Sequence, residues 1–384
     1  MHTKREQPSD GRTSSRTESH GNAPLIGVRV VEFASIGPGP HCAMLLSDLG
    51  AEVLRIVRDG GTGWENPIAD RGRHSLILDI QTPQGCDVCR AIALKADIAI
   101  EGMRPGVMER LGLGPEILCA DNPRLIYVRI TGWGQDGPRA QMAGHDINYI
   151  ALTGALAAMG KPDEPPMPPL NLLADFGGGS LFAAVGILAA LYERSRSGLG
   201  QVIDAAMVDG VASLMTMFAG LLPLGAISLN RARNILGGAA PFYRCYRCAD
   251  EKEIAVGALE AKFYHSLVEG LGAPSDCCES QYDVSRWAER AGRFAEIFRQ
   301  RTRDQWVAHF ADLDACVAPV LSLEESYCDE HLLARETYVA ANGLMQAAPA
   351  PRFSRTSGRI QPTLEATTLL EEWGVRLPDA HELK

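Results

Sequence analysis

Residues 27–57 constrain the fold more than any other part of this chain. Gly27-Val28-Arg29-Val30-Val31-Glu32-Phe33 reads as a buried strand, and Ile36-Gly37-Pro38-Gly39-Pro40 breaks it. His41 to Leu49 has the pattern of a helix ending at Gly50, and Ala51 to Val57 is a second strand. Strand, Gly/Pro turn, helix and strand in so short a span is the βαβ unit of an open parallel sheet. The alternation continues with strands at Ser75–Ile80, Asp97–Glu101 and Leu125–Ile130 and a helix at Gly85–Leu94. The expected fold class is therefore α/β, a doubly wound parallel-sheet (Rossmann-like) domain that takes its ligand at the carboxyl ends of its strands. The 36–40 turn lacks the G-x-G-x-x-G spacing, and its two prolines remove N–H donors that would hold a pyrophosphate, so nicotinamide or flavin binding is not expected.

The second half reads differently. Gly177-Gly178-Gly179 precedes a helix over Ser180–Arg194, which places Asp175 just ahead of its N-terminus. Short strands alternate with turn residues from Ala240 to Gly257, and helical segments follow to about Ala311. Residues 230–330 form a smaller α+β domain in this reading, and the proline-rich 347–362 stretch is a strap toward a C-terminal helix. Residues 1–22 are polar, without an apolar core, and read as a disordered extension.

Composition excludes several classes of function. The 384 residues carry 37 Lys and Arg against 47 Asp and Glu, and no basic run suits a nucleic-acid backbone. A phosphorylated small ligand needs only a few placed arginines. The longest strongly apolar stretch, Leu181 to Tyr192, is short for a membrane span. The ten cysteines include Cys86/Cys89 and Cys245/Cys248, but the pairs lie far apart in sequence without nearby ligand histidines, so no metal site is expected. Scattered thiols fit a reducing cytoplasm.

Two acid–base candidates stand out, His145 in Gly-His-Asp-Ile-Asn-Tyr (144–149) and Asp175 in Asn-Leu-Leu-Ala-Asp-Phe-Gly-Gly-Gly (171–179). Inverting a stereocentre next to a thioester needs a base on one face of the α-carbon and a conjugate acid on the other, with donors for the enolate oxygen. Histidine titrates near neutrality. Asp175 suits the second face only if its protonated form is accessible, which a helix N-terminus alone works against and a second carboxylate would promote. Glu260, in Val-Gly-Ala-Leu-Glu (256–260), is the candidate second carboxylate. Taken singly, the three also read as a structural histidine, an N-cap and a solvated glutamate.

A longer series of segments decides between these readings. Val30-Val31-Glu32, Gly37-Pro38-Gly39-Pro40, Asp48-Leu49-Gly50-Ala51, Arg104-Pro105-Gly106-Val107, Asn122-Pro123-Arg124-Leu125-Ile126-Tyr127 and Thr131-Gly132-Trp133-Gly134-Gln135 precede the 144–149 and 169–176 segments. Gly200-Gln201-Val202-Ile203-Asp204-Ala205, Gly237–Tyr243 and Asp314-Ala315-Cys316-Val317 follow them. In this order the chain resembles the α-methylacyl-CoA racemases of the family III CoA-transferase (CaiB/BaiF-like) superfamily, from about Leu25 to Arg355. The resemblance implies that His145 and Asp175 are the two acid/bases, with Glu260 supporting the carboxylate side. It implies that coenzyme A, as part of the substrate and not a cofactor, lies along the first domain. Arg58 and Arg104 would meet phosphate, Leu78, Asp79, Ile80 and Gln81 the nucleotide, and the Gly144, Asp146, Ile147, Asn148, Tyr149 loop the thioester, with the Asp146 N–H facing the enolate oxygen.

It further implies an interlocked homodimer whose active site joins the large domain of one subunit to the small domain of the other. The large domain would span 23–215 and be completed by 340–384, with a linker at 216–229 and a return strap and C-terminal segment over 331–384. The partners expected are an acyl-CoA thioester and a second copy, with neither nucleic acid nor membrane. Departures from the family pattern are Gln81, where animal enzymes have Lys, and Ala261-Lys262 after Glu260. CoA-transferases of the same superfamily use the Asp at the position of Asp175 as a nucleophile and have another residue at that of His145.

Overall fold

The computed structural model describes residues 22–377. All but the last residue of the expected 1–22 extension lies outside that range. Six short strands form one sheet: β1 (Arg29–Phe33), β2 (Glu52–Val57), β3 (Arg73–Ile77), β4 (Ile98–Glu101), β5 (Ile126–Thr131) and β6 (Val202–Ala206). Their order is β3-β2-β1-β4-β5-β6, and every pairing is parallel. The order reverses between β1 and β4, where a doubly wound sheet opens its binding crevice.

Because side chains alternate along a strand, each strand supplies both faces. Val31, Phe33, Leu54, Ile56, Ala99 and Tyr127 pack on one side against the Pro83–Ala93 helix and against Leu369, Leu370 and Trp373 of a C-terminal helix, Ala366–Trp373. Val30, Val53, Ile98, Ile100, Ile126 and Val128 pack on the other side. There they meet Cys42, Ala43 and Leu46 of the Pro38–Asp48 helix and Ala183, Ile187 and Ala190 of a long helix beyond residue 181.

That long helix corrects the reading of Asp175. Helical structure begins at Leu172, runs in π register to Leu181 and continues as an α-helix from Phe182 to Ser197, so Asp175 lies inside it. The glycine run is there for close packing. A Cβ on Gly178 would stand 3.0 Å from Met207 O and Val211, and one on Gly179 would stand 3.0 Å from Pro38 Cβ. The helix is also longer than the apolar stretch suggested. Its 26 residues have an apolar window of mean hydropathy 1.7 and suffice, by length and composition alone, to cross a bilayer, although 33% of that window is buried within the chain.

A second, antiparallel sheet comprises β7 (Tyr243–Arg247), β8 (Glu253–Gly257) and β9 (Val317–Pro319). Its core, which includes Phe242, Tyr246, Ile254, Val256, Tyr264, Trp287, Phe294 and Trp306, is separate from that of the parallel sheet. A hairpin of β10 (Tyr338–Ala341) and β11 (Leu344–Ala347) turns through Asn342 and Gly343, both at positive φ, as a two-residue type I′ turn requires. Arg71 fastens this hairpin to the parallel-sheet region. The buried guanidinium pairs with Asp48, donates to Gln346 Oε1 at 2.8 Å and donates to the Ala347 carbonyl at 2.9 Å.

Candidate active site

The carboxyl ends of five parallel strands open into one cavity of about 1450 Å³. Residues 34–40 enter it from β1, Arg58 and Trp64 from β2, Leu78–Gln81 from β3, Gly102–Arg104 from β4 and Thr131–Trp133 from β5. Gly144, His145, Tyr149, Asn171, Asp175 and Phe176 complete its lining. Strand pairing orders these segments along the edge. Leu78 N–H donates to the Val57 carbonyl at 2.9 Å, so the loops holding Arg58 and Gln81 leave neighbouring strands at one end. Gly37 and Gly102 follow β1 and β4, at the switch point.

The rim is basic although the chain is acidic. Arg58, Arg104 and Arg110 all line the cavity and are exposed, and none meets a carboxylate among the described residues. The Arg58 Nε–H donates to the Gly61 carbonyl at 2.9 Å, leaving the rest of the fork free. Unpaired guanidinium groups of this kind suit phosphate oxygens.

Deeper in the lining Asp175, partly buried, accepts from Asn171 Nδ2 at 3.0 Å, one turn earlier on its helix. The backbone of Gly37 closes over it, and a Cβ there would lie 3.1 Å from Asp175 Oδ2. Burial pushes the Asp175 carboxyl above the usual range, Asn171 and His145 pull it down, and the nearby Asp146 carboxylate pushes it up. The protonated form of Asp175 is thus more accessible than that of a solvent-exposed aspartate.

His145 is extended (φ −131°, ψ 172°) and opens a short helix, Asp146–Leu152, with its N–H donating to Asn148 Oδ1 at 3.1 Å. Tyr149 braces this turn: its hydroxyl donates to the Gly144 carbonyl at 2.5 Å, and its ring meets Trp133 edge-on with centroids 4.7 Å apart. Burial first, then Asp175 and Asp146, push the phenol up to about 12, so it remains a neutral donor. Gly132 must lack a side chain here, because a Cβ would fall 2.0 Å from the tyrosine ring.

The predicted site residues divide in two. Arg58, Leu78, Asp79, Ile80, Gln81, Arg104, Gly144, His145, Tyr149 and Asp175 line this cavity together. Asp146, Ile147, Asn148 and Glu260 do not. Ile147 points to solvent, and Asn148 serves the His145 turn. Asp146 is buried, and its Oδ2 accepts from the N–H groups of Ala174 at 2.7 Å and Asp175 at 2.9 Å. Its own N–H, in the first turn of the helix, finds no acceptor among the described residues. Glu260 is exposed at the N-cap of the Ala261–Leu271 helix, following β8.

Asn171, Arg110, Trp64 and His41 are among the cavity residues left unassigned in the sequence. Asn171, four positions before Asp175, and Arg110, six after Arg104, had a signal in helical and charge spacing. Trp64 and His41 had none. The His41 ring packs on Phe176 at 4.8 Å and bonds Ser180 Oγ at 2.7 Å, with its pKa lowered by burial and then by Arg71.

A doubly wound sheet whose crevice gathers exposed arginines with a histidine and a raised aspartate defines an α/β enzyme for a ligand with an anionic handle. Comparison with known proteins gives the family. The sequence profile of CoA-transferase family III matches residues 25–366. The chain is 47% identical over 357 residues to an alpha-methylacyl-CoA racemase of Mus musculus, covering 91% of this chain and 93% of that one. It is 43% identical over 366 residues to the Homo sapiens protein of the same name, covering 94% and 96%. A CaiB/BaiF family protein from Brucella suis superposes with a TM-score of 0.78 at 27% identity, covering 93% of this chain and 100% of that one. The chain belongs to CoA-transferase family III.

Proposed function

We propose that this protein is a racemase of 2-methylacyl-CoA thioesters, interconverting the R and S isomers by 1,1-proton transfer through an enolate. The observation that carries this is that His145 and Asp175 line one cavity, with the aspartate held above the usual carboxylate range. A histidine and an aspartic acid, groups of different charge type lining one cavity, are what inversion at an α-carbon needs. His145 takes the α-proton from the S isomer and Asp175 from the R isomer. The enolate oxygen meets main-chain N–H groups at the start of the 146–152 helix, Asp146 among them. Arg58 and Arg104 hold the phosphates of coenzyme A, with the nucleotide beside Leu78–Gln81. Beyond the substrate's own CoA the reaction calls for no cofactor.

The working unit in this reading is a homodimer. The 170–199 stretch leaves Leu170, Leu172, Val185, Leu188, Tyr192 and Leu199 exposed, an apolar face too extended for an isolated chain. A second copy covers that face and brings its Glu260 to the carboxylate side of the site. Ten unpaired cysteines suit a reducing, cytoplasmic setting.

The test is α-proton exchange. Purified protein is incubated in D2O with (R)- and (S)-2-methylacyl-CoA, without an acyl acceptor, while deuterium and configuration at C2 are followed. Deuterium uptake with convergence on a racemic mixture is expected, and His145→Ala and Asp175→Ala each lower it by about 10²–10⁴-fold. Acyl transfer to an added carboxylate without exchange would instead make Asp175 a nucleophile.

A further inference from the structure

The Asp146 side chain has no part in the chemistry described so far, yet it is 94% buried against the helix that carries Asp175 (6% exposed). Oδ2 accepts from Ala174 N at 2.7 Å and Asp175 N at 2.9 Å, two first-turn donors that otherwise lack intrahelical partners. Oδ1 is buried with no partner at all. A buried oxygen left unpaired is unusual enough to need a reason. The Asp146 carboxylate, held by these two N–H donors, pushes the Asp175 carboxyl upward. The other groups around Asp175 are His145 and Tyr149 from the 146–152 helix and His41 from the 38–48 helix. The helix Met207–Leu214 adds an exposed Asp209, and Asn171 lies on Asp175's own helix. No arginine or lysine forms an ion pair with either aspartate among the described residues.

We propose that Asp146 is the positioning residue for the candidate acid: its carboxylate clamps the Asp175 main chain and sets a fixed negative charge beside the Asp175 side chain. The catalytic consequence rests on the racemase reading. When His145 takes the α-proton, the C–H electron pair passes to the thioester carbonyl as an enolate. The enolate then forms a new C–H bond with the Asp175 proton on the opposite face, leaving Asp175 a carboxylate and His145 an imidazolium. Ordinary aspartate and histidine pKa values of about 3.9 and 6.5 differ about 400-fold in proton affinity. Asp146 narrows that gap, which brings the two resting tautomers closer in population.

The test reads Asp175 directly. Protein labelled with 13C at the aspartate carboxyls is titrated by NMR, with the Asp175 resonance assigned by its loss in Asp175→Asn. In Asp146→Asn, which keeps an oxygen acceptor for the two N–H groups but removes the charge, the Asp175 midpoint should fall by about one pH unit. Asp146→Glu, which keeps the charge, should leave it near the wild-type value. An unchanged midpoint in Asp146→Asn overturns the proposal. If that variant does not fold, Asp146→Ser, a short neutral acceptor, decides on the same criterion. The acid limb of kcat/KM against pH should move with the midpoint; a limb that stays in place while activity falls would reduce Asp146 to a structural cap. Failure of the wild type to exchange an α-proton removes the racemase reading but leaves the carboxyl titration interpretable.

Discussion

Gly37 and Asp175 touch through backbone and carboxylate: a Cβ on the glycine would sit 3.1 Å from Asp175 Oδ2. The glycine also holds φ 72°, ψ −116° as the N-cap of the 38–48 helix, a conformation that L side chains avoid. Gly37→Ala should therefore cost about 1–3 kcal/mol of stability. It should also slow proton exchange more than it weakens CoA-ester binding, because it crowds the reacting end alone. Urea unfolding together with separate kcat and Kd measurements checks both.

On the rim of the cavity Arg58, Arg104 and Arg110 have no carboxylate partner among the described residues to lose. Replacing any one by Ala should weaken binding of the CoA ester by about 1.5–3 kcal/mol if it meets phosphate. The thermal midpoint of the free protein should hardly change. Calorimetric titration with CoA, and with CoA lacking its 3′-phosphate, separates the three; equal losses for both ligands at all three positions would argue against a phosphate role near the ribose.

The raised carboxyl of Asp175 makes a prediction about stability. The folded protein holds this proton more tightly than the unfolded chain, so stability from this group is fully present below the ordinary carboxylate value, about 3.9, and is lost as pH rises through the folded value. Asp175→Asn, which never ionises, should melt higher than the wild type at neutral pH, with the difference closing toward about pH 4 and below. Melting curves across that range decide it, and a lower midpoint for the variant at neutral pH would contradict the assignment.

Arg71 is buried against Asp48 and ties the β10–β11 hairpin to the parallel-sheet region. Arg71→Ala strands a buried carboxylate and should cost about 3–5 kcal/mol. Arg71→Lys keeps the charge but not the fork, and should fall between the two in denaturant unfolding.

Four of the first five parallel strands were legible as short apolar runs bounded by Gly, Pro or Asp. The other, β3, was expected at Ser75–Ile80 but starts two residues earlier, with Arg73 and His74 buried in it, and ends at Ile77. β6 was not legible: Val202-Ile203-Asp204-Ala205-Ala206 is weak alone and becomes a strand by pairing with β5 through Tyr127 to Thr131. Asn342-Gly343 was a readable hairpin signal that the surrounding loop-like sequence obscured. The start of the Asp175 helix was misplaced because the glycine run resembles a boundary. Its real opening is held by Asp146 from 28 and 29 residues away, a contact with no local signature. His145 and Asp175 could be picked out by residue type and resemblance, whereas the burial that raises Asp175 belongs to the folded chain.

The parallel sheet also fixes a length. Along its carboxyl edge β3 and β1 are two strand spacings apart, about 10 Å. A ligand gripped beside Arg58 and Gln81 presents its far end to Gly37 and Asp175 only if a flexible tether of that order joins the two. The strand edge acts as a caliper: a molecule carrying the handle on too short an arm would be held firmly and never reach the proton-transfer pair, while the group beyond the reacting carbon goes unmeasured and is free to vary.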